Sequence, residues 1–207
     1  MSIFCLLWIP AFCLFRRTAF AGRGAVYLWA LLTGSVITLV QYYAGPMAVP
    51  GGFGFSRWLA GFIDIASLPA VVPLVVCILL IKLRMLPAGT DHAGFTLFSL
   101  IPLAAYRSIS WNSPASPVLL VLVPLLWTAQ AAGMPWFFRF TARGSRWYIV
   151  APAILAIAAL PAAAAASWWA FFSQHTLIAW LLLCVTFAPA VISGFKESYL
   201  KYLTQRH

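Results

Sequence analysis

The sequence predicts an all-α fold: a polytopic transmembrane bundle of seven helices, or six if the first segment does not span, kinked by prolines and without a soluble domain. Three observations predict it. Hydrophobic residues make up 64% of the 207 and charged residues 8%, at a mean hydropathy of +0.96, whereas a soluble domain typically carries about 25% charged residues. The apolar residues come in continuous runs rather than in alternation, and in lipid only helices or closed barrels satisfy every backbone group. The basic residues fall between those runs. The whole chain, 1–207, therefore reads as one integral-membrane helical domain.

The first segment, about 2–15, reaches only ~21 Å as helix at 1.5 Å per residue, short of the ~30 Å hydrocarbon core. Arg16 and Arg17 can extend it by snorkelling. Ala19-Phe20-Ala21 resembles a signal-peptidase site, but no Lys or Arg precedes the run and both arginines follow it, the reverse of a secretory signal. The segment is read as a retained short span, with an interfacial or re-entrant helix as the alternative. The second span, 25–43, holds no proline. The loop after it, 44–57, contains Gly45-Pro46, Pro50-Gly51-Gly52 and Gly54 and should be an irregular outer loop with Phe53 and Phe55 at the interface. Gly51-Gly52-Phe53-Gly54 lacks the Lys-Ser/Thr or βαβ setting of a phosphate-binding loop.

Five further runs follow: 58–81, 93–111, 117–138, 147–172 and 175–195. Every span but the second carries proline (Pro10, Pro69 and Pro73, Pro102, Pro124, Pro152 and Pro161, Pro189). Each proline removes a backbone donor and bends its helix unless a neighbour satisfies the freed carbonyl. The alanines at 162–166, with Ala156 and Ala159, give the sixth helix a small-residue face for close packing. Aromatic side chains bracket the runs as an interfacial belt: Tyr42, Tyr43, Trp58, Trp111, Trp136, Trp147, Tyr148, Trp168 and Trp169.

Orientation follows from the basic residues. Arg16, Arg17 and Arg23, then Lys82 and Arg84, then Arg139, Arg143 and Arg146, and finally Lys196, Lys201 and Arg206 all lie in alternate connections. Only Arg57 and Arg107 fall in the other set. The positive-inside rule makes the eleven cytoplasmic, placing the chain in the cell (inner) membrane with its C-terminus in the cytoplasm. The formal charge of +10 is thereby a topology signal, and no nucleic-acid partner is expected. The expected partners are the lipid bilayer and other membrane subunits or a second copy of the chain. Cys5, Cys13, Cys77 and Cys184 all lie in apolar runs without a Cys-x-x-Cys and read as buried free thiols.

The polar residues inside the runs are the candidate site. Asp64 lies six residues past Trp58, about 9 Å along a helix, in the outer half of the third span. A lipid-facing carboxylate there would cost a few kcal/mol, so it should face the bundle. Arg107, four residues before Trp111, has a similar depth on the next, antiparallel span. The two can form an ion pair that locks the helices, or a polar site open to the outer side. Thr96, Ser99, Tyr106 and Ser110, with Leu103 between, recur at near-helical spacing as an inward face. Gln41 and Asn112 can join the outer pocket, so the substrate-binding set is Asp64, Arg107, Gln41, Tyr106 and Asn112. Asp91-His92 reads as a helix start, and Gln130 as interhelical glue.

Several chemistries lack their residues. There is no His-Glu-x-x-His, no Gly-x-Ser-x-Gly and no P-loop, and His92, His175 and His207 are far apart. Asp64 is alone within the runs, where an aspartyl intramembrane protease needs two. Gly34-Ser35 has no placed base. No catalytic residue, metal or cofactor is assigned. The chain is read as a small permease or transporter component. The alternatives are an accessory or structural subunit of a membrane complex, and a lipid-active enzyme using Asp64 or His92.

Overall fold

A computed structural model describes residues 24–44, 55–110, 117–143 and 147–204. The expected first segment, Arg16, Arg17, Arg23, Cys5, Cys13, most of the outer loop, Asn112 and the C-terminal end lie outside the described residues. Among the described residues every regular element is helical. The chain runs through α1 (Gly24–Ala44), α2 (Phe55–Gly61), a π-helical segment (Phe62–Val71), α3 (Val72–Lys82), α4 (His92–Ser110), α5 (Pro117–Arg143), α6 (Trp147–Phe172) and α7 (Thr176–Thr204). Three stretches are long and apolar enough to cross a membrane: Gly24–Tyr43, Trp58–Lys82 and Val150–Phe172. A shorter apolar stretch is Thr176–Ile192.

Residues 58–81, expected as a single helix, are α2, the π-helical segment and α3 in succession. Pro69 lies inside the π-helical segment, which supplies the physical reason. A proline cannot donate to the preceding turn, and its ring clashes with the carbonyl of the turn below. Widening the turn accommodates both effects. Pro73 lies in the first turn of α3, where the π register gives way to the α register.

α5 is the centre of the bundle and packs on α4, α6, α7 and the π-helical segment, while α1 lies mainly against α4. The largest core cluster joins Ile65, Leu97, Leu100, Leu103, Leu122, Leu126 and Trp127 to Ala164, Trp168 and Leu183. A second cluster sets Ala30 of α1 against Cys77, Leu80, Leu86 and Phe95. Gly34 explains how closely α1 approaches α4: a Cβ there would run into the carbonyl oxygen of Ser99. Gly61 has the same role against α6, since its Cβ would lie 2.6 Å from Cε3 of Trp168. Polar bridges fix the same helix pairs. The Thr96 hydroxyl donates to the Ala131 carbonyl at 2.6 Å, tying α4 to α5, and the Ser167 hydroxyl donates to the Ala179 carbonyl at 2.7 Å, tying α6 to α7. Within the alanine run, Ala164 and Ala165 are fully buried.

The outer surface of α1 and α7 is apolar, with Leu28, Val36, Leu39, Leu177, Leu181 and Val185 exposed. Cys184 stands on that exposed face of α7, while Cys77 is buried. The expectation was of thiols buried in lipid or in protein: Cys77 is buried within the protein, and Cys184 lies on the apolar outer face. Hydropathy fixes that a residue lies in an apolar helix but not which way it points, and the rotation of α7 turns Cys184 outward beside Val185.

Two helix ends use an unusual residue. α3 closes with Arg84 N–H on the Ile81 carbonyl and Met85 N–H on the Leu80 carbonyl, and α6 closes with Gln174 N–H on Phe171 and His175 N–H on Ala170. These are Schellman closures, whose left-handed position is usually glycine. Here Arg84 and Gln174 occupy it at φ 61° and 63°.

Candidate functional site

The site forms where α1, α4 and α5 meet the π-helical segment. Asp64 is 3% exposed, in the first turn of that segment. Arg107 Nη2 donates to Asp64 Oδ2 at 2.9 Å, and the pair is nearly dry: the side chains are 12% and 4% exposed. The same guanidinium donates from Nε and Nη2 to Gln41 Oε1 at 3.3 and 3.1 Å. The opposite end of the Gln41 amide donates from Nε2 to the Asp64 backbone carbonyl at 3.4 Å. One amide thus joins both partners of the ion pair, and its orientation is forced, because only its oxygen can receive the arginine.

Pro69 accounts for a second feature. The N–H it lacks would reach the Ile65 carbonyl in an α-helix and the Asp64 carbonyl in a π-helix. Both carbonyls receive side-chain amides instead. Gln41 of α1 supplies Asp64, and Gln130 Nε2 of α5 supplies Ile65 at 3.1 Å. Gln130 Nε2 also donates to its own Leu126 carbonyl at 3.0 Å, which leaves Gln130 Oε1 buried without a partner. One missing N–H frees one carbonyl, that of Asp64 in the π register, and Gln41 serves it; Gln130 adds a side-chain donor from α5 to the neighbouring Ile65 carbonyl.

Of the expected set, Asp64, Arg107 and Gln41 come together. Tyr106 does not join their hydrogen bonds; its ring sits edge-on to Tyr42, with centroids 6.1 Å apart. Asn112 lies outside the described residues. Thr96 and Ser99 are buried as expected, but they serve α4 and α5, with Ser99 donating to the Thr96 carbonyl. Gln130 bridges helices as expected. Its partner, the Ile65 carbonyl, was not anticipated, although the spacing from Pro69 back to Ile65 was a signal that could have found it. Asp91 starts α4, its two carboxylate oxygens accepting Ala93 N–H and Gly94 N–H at 3.2 Å. The His92 ring packs on Phe138. Ser35 is exposed, beside the close approach of Gly34 to α4. Among the described residues no three His, Cys, Asp or Glu side chains gather as a metal site.

The arrangement fixes one guanidinium against a carboxylate and an amide oxygen inside the helix bundle. Compared with known proteins, the chain matches no family model, no curated protein and no solved structure.

Proposed function

We propose that this chain is a small permease, or the membrane component of one, whose solute site is the Asp64–Arg107–Gln41 cluster. The reading keeps seven spans, all but the second kinked by proline, with the C-terminus in the cytoplasm and the cluster toward the outer face. One observation carries it: a desolvated ion pair built onto a proline-containing π-helical turn whose Asp64 and Ile65 carbonyls accept side-chain amides from two other helices. A buried ion pair is a weak source of stability compared with apolar packing of the same volume. Ionisable groups within membrane helices mark solute and ion paths, and broken helices are where transporters bind their cargo. In this reading a solute bearing a carboxylate or phosphate takes Arg107 from Asp64, and the π-helical turn relaxes as the pair opens.

The experiment is a screen of small carboxylates and phosphates for an increase in the melting temperature of the purified protein, followed by uptake of any hit into liposomes. The expected result is an anion that stabilises the native protein, fails to stabilise Arg107→Gln, and accumulates in the liposomes. If no anion does so and a second chain co-purifies in fixed proportion, the protein is an accessory subunit and the pair is only a helix lock.

A further inference from the structure

We infer that the end of α3 carries a binding site for an anionic phospholipid, separate from the Asp64 cluster and independent of the permease reading. A groove of about 410 Å³ lies beneath the α3 closure, lined by Ile81, Arg84, Met85, Leu86, Pro87 and Ala88. Arg84 lines the groove and Lys82 lies two residues before it; both are exposed, and neither side chain has a hydrogen bond or ion pair with any described residue. The acid next along the chain, Asp91, gives both carboxylate oxygens to the start of α4. Two cations two residues apart thus have no carboxylate partner among the described residues.

The apolar part of the site leads away from them. Val75, Leu79 and Leu83 are 48%, 51% and 67% exposed. At spacings of four they form one ridge along α3, about 12 Å long. A soluble phosphate would meet the cations and leave this ridge unused. A phospholipid uses both, its headgroup phosphate on Lys82 and Arg84 and an acyl chain along Leu83, Leu79 and Val75. The membrane-length stretch Trp58–Lys82 ends at the same point, which sets the groove at headgroup depth. Arg84 also occupies a left-handed position, φ 61°, where glycine would be relaxed. An outlier of that kind is a pointer to function: the left-handed turn carries a charged side chain to the groove where glycine would carry none.

The test uses the full chain, purified and delipidated in neutral detergent and titrated with phosphatidylglycerol or phosphatidylcholine under native mass spectrometry. Each basic residue near an anionic surface contributes about fivefold in affinity, so two give a preference for phosphatidylglycerol of roughly thirtyfold. The double variant Lys82→Gln/Arg84→Gln should melt at the native temperature and lose the preference. Arg84→Gly, which also relaxes the backbone, should keep about a fifth of it. Equal binding of the two lipids by the native protein would overturn the proposal, as would a preference that survives the double substitution. Displacement of the lipid by equimolar glycerol phosphate would also overturn it, by showing a free-phosphate site.

Discussion

Replacing Gln130 with leucine removes the amide that caps the Ile65 carbonyl, and Pro69 determines what that costs. Gln130 is fully buried and its Nε2 reaches Ile65 at 3.1 Å, so Gln130→Leu takes a donor from a buried carbonyl, a penalty of at most about 1–3 kcal/mol. The same substitution deletes the orphaned Gln130 Oε1, which returns part of that penalty. Interhelical hydrogen bonds in membrane proteins average only ~0.6 kcal/mol, so a net loss of about 1 kcal/mol is expected. Pro69→Ala restores a backbone N–H that can serve Ile65 if the turn tightens to an α-helix. The double variant Gln130→Leu/Pro69→Ala should therefore lose at least ~0.5 kcal/mol less than the two single losses combined, because the sites share one acceptor. Unfolding by SDS in mixed micelles, followed through the fluorescence of the ten tryptophans, measures all four proteins. Strict additivity, or a Gln130→Leu variant as stable as the native protein, would refute the link between the proline and the glutamine.

Gly34→Ala should cost about 1–3 kcal/mol in the same unfolding assay, because the new methyl meets the backbone of Ser99 and α1 must move off α4. Gln174→Gly should raise stability by ~0.5 kcal/mol. It relieves the left-handed turn at φ 63° and returns part of the gain to the greater freedom of glycine in the unfolded chain. In lipid vesicles a lipid-soluble maleimide should label Cys184 well before Cys77, since only Cys184 is on the exposed face. Equal rates, read by mass spectrometry of the labelled peptides, would place both thiols in similar surroundings.

Hydropathy and charge are one-dimensional signals, and they were enough to find the helices. The expected segments from 25 onward begin and end within a few residues of the observed helices, except that α5 continues to Arg143 and α7 to Thr204. The meeting of Asp64 and Arg107 was also legible, because depth can be counted from Trp58 and Trp111 and a lone buried charge needs a partner. The π-helical turn was not. Its cause, Pro69, was visible, but a proline can kink, break or widen a helix, and which occurs depends on donors supplied from elsewhere. Those donors, Gln41 and Gln130, sit on helices whose rotation the sequence does not fix. Which of the thiols faces the protein and which faces outward was illegible for the same reason. The Schellman closures escaped notice because glycine, the usual signal of that turn, is replaced by Arg84 and Gln174.

The central claim is that the Asp64–Arg107 pair handles a solute as well as joining helices, and the double variant Asp64→Asn/Arg107→Gln tests it most directly. Each single substitution leaves one unpaired charge in a dry site and should cost about 3 kcal/mol or more. The double variant removes both charges, so it should recover much of that stability and yield folded protein. Uptake of the stabilising anion into liposomes is then measured at matched folded protein. The account predicts a folded double variant that takes up no anion. Uptake at the native rate would contradict it and reduce the pair to a structural lock.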